Sequence, residues 1–360
     1  MSVSYQITIK NSGKTFSANS DETVLEAAMR QGIHLPYGCK NGACGSCKGK
    51  VESGCVSHGD HNEKALSGEE ALNSMALFCC AKAESDLVID VREVEAHGDV
   101  VIKKIPCRVA SLNRVTDDVV IVKLQLPATE KFQFVAGQYI EFLLKDKRRA
   151  YSIASAPHEE GPLELHIRHM PGGAFTDFVF GSSESGTMMK EKDILRFEGP
   201  LGSFFLREDS NKPIIFIASG TGFAPIKGIV EHIRHQGITR PIKLYWGGRR
   251  PKDFYHHELC QTWAKEIPGF EYIPVVSDAL PEDQWTGRTG FVHAAAMQDN
   301  PDMSGFQVYA CGAPIVVESA KNDFVAKCDL PSDEFYADAF TSAADLAKKH
   351  PLNHFVKIVV

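Results

Sequence analysis

The chain has 360 residues, 43% of them hydrophobic and 24% charged, with a formal net charge of −7 at pH 7. That length exceeds one ordinary domain and predicts two or three. The acidic balance argues against nucleic acid or an anionic membrane as the main partner. No apolar run is long enough to span a bilayer, and the start, MSVSYQITIK, lacks the apolar core of a signal peptide. The expected location is the cytoplasm, where thiols stay reduced, so the ten cysteines predict no disulfide framework. Residues 1–96 carry −4 of the −7, which makes the N-terminal part modestly acidic.

In chain order, the alternating SYQITIK, the turn NSGK and TFSA predict a β-hairpin. SDETVLEAAMRQGI predicts a helix capped by Ser20 or Asp21, with Leu25, Ala28 and Met29 on one face and Gly32 at its end. A cysteine loop follows, then a loop-rich stretch to about Met75, LFCCA and the strand DLVIDV; the charged run near EVEAHGD reads as a linker. From about 103 to 207 the chain is a series of strands: PCRVASLNRV, VVIVKLQL, QYIEFLL, RAYSIASAP, LELHIRHM and ILRFEGP. Turn residues space them as in an antiparallel barrel. Beyond that, the buried strand PIIFIASG, the helical APIKGIVEHIRHQG and the strand PIKLYWGG begin a βα alternation. FEYIPVVS, GFVHAAAMQ and FQVYACG continue it, predicting a doubly wound parallel sheet. The tail from FYADAF to Val360 has no clear assignment.

Three cysteines fall within nine residues, Cys39-x4-Cys44-x2-Cys47, and the fourth ligand comes from Cys79 or Cys80. Thiolates suit iron–sulfur clusters or zinc. Structural zinc sites pair short knuckles on both sides, whereas three thiols on one side with an x4 then x2 step is the plant-type 2Fe–2S spacing. Cys79 is taken as the ligand, with Cys80 its neighbour. Gly38, Gly42 and Gly45 are expected where a loop wraps a compact anion with positive φ and backbone N–H groups aimed at sulfur. In YSIAS, preceded by Arg149, the Arg can bond a pyrophosphate bidentately and Tyr151, two positions on, faces the same way. Gly220, Thr221 and Gly222 stand at a strand-to-helix turn where backbone amides and a helix N-terminus, near Pro225, favour a phosphate.

Residues 1–97, with YGCKNGACGSCKGKV and LFCCA, resemble a plant-type ferredoxin domain of β-grasp fold. Residues 98–208, with RRAYSIAS, RHMPGGAFTDF and EGPLGSFFL, resemble the flavin barrel of the ferredoxin–NADP reductase superfamily. Residues 209–360, with GTGFAP and YACGAP, resemble its nucleotide lobe. The resemblance implies FAD rather than FMN, held through Arg149, Tyr151 and Ser152, with the Ser152 hydroxyl at the flavin N5 edge. It also implies pyrophosphate contacts from Gly173, Ala174 and Thr176, and a nicotinamide end lined by Cys311, Gly312 and Pro314. An aromatic residue near the C-terminus, Phe340 or alternatively Tyr336, would approach the flavin. Arg249 and Arg250, with Lys252 and Tyr255 nearby, follow LYWGG where the adenosine ribose should lie; NADH is the expected donor, with NADPH the alternative.

The whole order is similar to reductase components of multicomponent oxygenases and to the reductases of CDP-6-deoxy-3,4-glucoseen formation. It implies a monomeric iron–sulfur flavoprotein in which hydride passes from NAD(P)H to FAD, then single electrons pass through the cluster to a protein acceptor. A flavin suits that conversion because it handles electrons in pairs or singly. The competing readings are a non-enzymatic redox sensor, a zinc-stabilised adaptor, or a flavoenzyme reducing a small molecule directly.

Overall fold

The structure is a computed structural model that describes residues 3–94, 100–145, 147–182 and 186–341. Most of the expected linker EVEAHGD and most of the C-terminal tail lie outside those residues. The chain divides into two compact units, one of residues 1–98 with the chain from Asp338, the other of residues 99–337.

In the first unit the hairpin forms as expected, β1 (Ser4–Ile9) with β2 (Thr15–Asn19), and leads into α1 (Val24–Arg30). Then come β3 (Lys48–Ser53), β4 (Val56–Ser57), α2 (Gly68–Leu72), β5 (Met75–Leu77), β6 (Lys82–Ala83) and β7 (Leu87–Asp90). The main sheet runs β2-β1-β7-β3-β5, with β1 and β7 parallel and the other described pairs antiparallel. Helix α1 buries Val24, Leu25, Ala27 and Ala28 against it. The cap differs from expectation. Thr23, not Ser20 or Asp21, accepts the Glu26 amide at 3.2 Å, while Glu26 accepts the Thr23 amide at 2.9 Å. This reciprocal pair satisfies two orphan donors at once, which a lone Ser or Asp further upstream cannot do.

In the second unit all six expected barrel strands form: β8 (Lys103–Arg114), β9 (Val119–Gln125), β10 (Tyr139–Leu143), β11 (Arg148–Ser152), β12 (Leu163–Arg168) and β13 (Ile194–Leu201). Helix α3 (Ala174–Phe180) lies between the last two. The antiparallel order is β11-β10-β13-β8-β9-β12, and a single bridge between Ile153 and Leu165 joins its two edges. That closes the barrel and leaves neither edge open over its full length.

The βα alternation that follows is β14 (Ile214–Ser219), α4 (Phe223–Gln236), β15 (Ile242–Gly248), α5 (His257–Glu266), β16 (Phe270–Val276), β17 (Arg288–Thr289), α6 (Val292–Asp299), β18 (Gln307–Gly312), α7 (Pro314–Lys327) and β19 (Phe335–Ala339). The sheet order is β17-β16-β15-β14-β18-β19, and β14 pairs in parallel with both β15 and β18. Chain order therefore reverses between β14 and β18, the point where doubly wound sheets open a crevice for a ligand.

Candidate functional site

Between α1 and β3 of the first unit, residues 38–47 form an irregular loop that returns amides to sulfur. The Cys39 N–H lies 3.4 Å from the Cys44 Sγ, and the Ala43 N–H lies 3.3 Å from the Cys39 Sγ. Positive φ falls at Lys40, Gly42 and Gly45. Gly38 is not in that region; its reason is space, because a β-carbon there would stand 3.3 Å from the Cys44 Sγ. At Gly42 both reasons apply, since a β-carbon would lie 2.7 Å from the Cys80 Sγ.

The four thiols converge. Cys39 interacts with Cys44 and Cys79, and Cys47 with Cys79. The neighbouring Cys39 thiol, then burial, push the Cys44 thiol up; the Cys79 thiol, then burial, do the same for Cys47. Cys39, Cys44 and Cys47 therefore resist becoming thiolates by themselves, but iron would reverse that preference. The residues present therefore fit a 2Fe–2S cluster held by Cys39, Cys44, Cys47 and Cys79. Cys80 points its sulfur 3.6 Å from that of Cys79, toward Gly42.

On β11, Arg149 and Tyr151 alternate onto one face, opposite Ser152. The Tyr151 ring packs at 5.9 Å from Phe142 and 5.6 Å from Phe175, centroid to centroid, and burial pushes its hydroxyl well above its usual range. Ser152 is buried and Arg149 half-buried, its guanidinium donating to the Arg148 carbonyl at 2.8 Å. Gly173 is the N-cap of α3, and a β-carbon there would meet the Met170 carbonyl at 2.8 Å. Thr176 departs from the expected role. Its hydroxyl bonds to the Met170 and Gly173 carbonyls at 2.9 and 3.0 Å, so it braces the loop rather than reaching out of it.

At the switch point the two glycine turns face each other. Gly220, Thr221 and Gly222 form a 3-10 turn, and α4 starts at Phe223, two residues before Pro225. Gly312 has φ of 127°, and a β-carbon there would stand 2.3 Å from the Ser219 Oγ, which accepts the Ala313 N–H at 2.8 Å. Cys311 is fully buried beneath Gly222, and Pro314 opens α7. Trp246 donates to the Gly220 carbonyl at 3.1 Å and stacks on Phe223 at 4.0 Å, fixing the turn from below. Arg249 is exposed at the end of β15. Tyr255 is turned away, its hydroxyl 2.9 Å from the His166 Nδ1. Tyr336 is likewise committed, stacked at 4.7 Å on Tyr309 and beneath Arg207. Phe340 follows β19, half-buried.

Sequence reasoning missed a polar cluster that joins barrel to nucleotide lobe. Glu164 on β12 accepts from His166 at 3.0 Å and faces the Lys227 ammonium at 3.3 Å, with His256 beside them. Burial opposes ionisation of Glu164, but the His166 hydrogen bond and Lys227 outweigh it and hold the carboxyl well below the usual range. Glu164, His166 and His256 have the donor types of a metal site. Lys227 already balances the one carboxylate, so the cluster is electrically complete without a cation.

A thiol nest of plant-type spacing, an antiparallel barrel with R-x-Y-S and a doubly wound lobe with glycine turns at its switch point define an iron–sulfur flavoprotein reductase using NAD(H). Residues 7–84 match the 2Fe-2S iron-sulfur cluster binding domain, 106–206 the oxidoreductase FAD-binding domain and 216–322 the oxidoreductase NAD-binding domain. The chain is 40% identical over 338 residues to the CDP-6-deoxy-L-threo-D-glycero-4-hexulose-3-dehydrase reductase of Yersinia pseudotuberculosis, covering 94% of this chain and 99% of that one. It is 33% identical to reductase component 1 of the terephthalate 1,2-dioxygenase of a Comamonas species, covering 95% and 98%. The crystal structure of the Amycolatopsis cytochrome P450 reductase GcoB superposes with a TM-score of 0.74 at 32% identity, over 94% and 99% of the two chains. The chain belongs to this family of ferredoxin-containing NAD-dependent reductases, which supply electrons to dehydrase and oxygenase components. No helix among the described residues is long and apolar enough to cross a membrane.

Proposed function

We propose that this reductase takes electrons from NADH and delivers them singly to a separate protein, a sugar dehydrase or an oxygenase component. The observation that carries the reading is the presence in one chain of a four-thiol nest, a flavin-type barrel and a glycine-lined switch point. The dehydrase and oxygenase roles of relatives 40% and 33% identical support the two acceptor classes. Bound FAD would supply the change from paired to single electrons, and the cluster a one-electron relay.

The chain's own residues bind and orient. Cys39, Cys44, Cys47 and Cys79 hold iron, and the Cys39 and Ala43 amides donate toward sulfur. Arg149 and the turn at Gly173–Ala174 would hold the flavin pyrophosphate, and Tyr151 and Ser152 would line its ring. Gly220 to Gly222 receive the nucleotide, and Cys311, Gly312 and Pro314 border the nicotinamide. Phe340 is the aromatic residue proposed to shield the flavin. Such a protein works as a monomer in the cytoplasm, in keeping with ten cysteines that form no disulfide.

The test is an anaerobic titration of reconstituted protein. NADH should bleach both the flavin and the iron–sulfur absorption, and the protein should reduce ferricyanide and cytochrome c. Cys47→Ser should keep ferricyanide reduction and lose cytochrome c reduction. A protein that stays colourless after iron, sulfide and FAD have been offered ends the reading.

A further inference from the structure

Two arginines at the end of β15, next to the nucleotide turn, have the composition of a seat for the 2′-phosphate of NADPH. The structure closes the Arg250 side of that seat. The Arg250 Nε donates to the Asp283 Oδ2 at 2.6 Å and its Nη2 to the Oδ1 at 2.8 Å, a bidentate fork. Glu282 adds a second carboxylate 3.4 Å from the same Nη2. Asp283 is itself fixed, because its Oδ2 accepts the Leu280 N–H at 2.9 Å. A third carboxylate, Asp253, accepts the Arg249 and Arg250 amides at 2.8 and 3.0 Å. Lys252 reaches the Asp117 carboxylate at 3.2 Å through an exposed contact.

We infer that Asp283 selects the pyridine nucleotide, holding Arg250 in a closed ion pair so that a ribose with a free 2′-hydroxyl is accepted and a 2′-phosphate is refused. A phosphate dianion arriving here must displace a carboxylate from Arg250 and then remain beside it and Glu282, a like-charge arrangement. A neutral ribose diol makes no such demand, and it can donate hydrogen bonds to carboxylate oxygens. Discrimination of this kind works through a repulsive element as much as an attractive one. The inference rests on the proposed nucleotide site at β14 and β18 and names which nucleotide that site takes.

The experiment measures reduction of the bound flavin by NADH and by NADPH in the wild type, Asp283→Asn and Asp283→Asn/Arg250→Gln. The wild type should favour NADH. Asp283→Asn should raise the NADPH/NADH ratio of kcat/KM by about tenfold, since a freed guanidinium fork matches phosphate. Loss of that gain in the double variant assigns it to Arg250. Competition against NADH provides a readout that needs no variant: in the wild type, 2′-AMP should bind no more tightly than 5′-AMP. A wild type using both nucleotides equally, an unchanged ratio in Asp283→Asn, or tighter 2′-AMP binding overturns the inference while leaving the nucleotide site standing. Reduction by neither nucleotide overturns that site and this inference with it.

Discussion

Gly222 lies so close to Cys311 that a β-carbon at position 222 would sit 2.1 Å from the Cys311 carbonyl oxygen and 2.7 Å from the Gly312 Cα. Both obstacles are backbone at the end of β18 and cannot swing aside as a side chain does. Gly222→Ala must therefore part the two turns that border the proposed nicotinamide crevice. The expected outcome is unchanged flavin and iron content with flavin reduction by NADH slowed by about 10- to 100-fold, the range that small misplacement of reactants produces. Stopped-flow absorbance after mixing with NADH measures it.

Cys79 and Cys80 have sulfurs 3.6 Å apart, and Cys79 interacts with both Cys39 and Cys47. Cys79→Ser should abolish most of the visible iron–sulfur absorption and the bound iron after reconstitution. Cys80→Ser should keep both close to wild type, because its sulfur fills the space beside Gly42 instead. Iron and sulfide assays on the two variants give the comparison, and equal losses would remove the distinction.

What the sequence made legible and what it hid separate along physical lines. Strand alternation, glycine turns and cysteine spacing are local, so the hairpin, the six barrel strands and the βα order could be read before folding was considered. The cap of α1 is also local, written in Thr23 and Glu26, although Ser20 and Asp21 just upstream offer capping side chains of the same kind. Thr176 illustrates a different limit, since a hydroxyl near a glycine turn reads the same whether it faces a ligand or the loop's own carbonyls. The cluster of Glu164, His166, Lys227 and His256 had no local signature. Its members come from β12, α4 and the segment after β15, and only the packing of barrel on lobe brings them together.

That cluster carries a stability prediction. Glu164 and Lys227 have side chains only 13% and 11% exposed, so removing one partner leaves the other as a nearly enclosed charge. Glu164→Gln should destabilise the holoprotein by roughly 3 kcal/mol or more, as breaking buried ion pairs does elsewhere. Combining it with Lys227→Met should recover part of that loss, because no uncompensated ammonium remains. Thermal unfolding of the single and double variants decides it, and a double variant worse than the single one would contradict the pairing.

The same cluster sets how stability depends on pH. Burial, then the neighbouring His166, lower the His256 imidazole to about 4 from its ordinary 6.5. Its Nε2 is buried with no hydrogen-bond partner among the described residues, so a proton added there would find no acceptor. Between pH 6.5 and 4 the unfolded chain binds a proton at this position that the folded chain refuses. The stabilisation is therefore complete above pH 6.5, falls as pH drops through the window and is gone below about 4; the difference amounts to about 3 kcal/mol. Burial lowers His166 as well and adds to the slope in the same direction. Glu164, held ionised, loses its contribution only further down, below the ordinary carboxylate range near 4.5. His256→Gln should accordingly flatten the loss between pH 6.5 and 4 without abolishing it, and leave the steeper acid limb in place. Denaturant midpoints measured at half-unit pH intervals distinguish the two limbs, and an unchanged profile in the variant would show that His256 titrates normally in the folded protein.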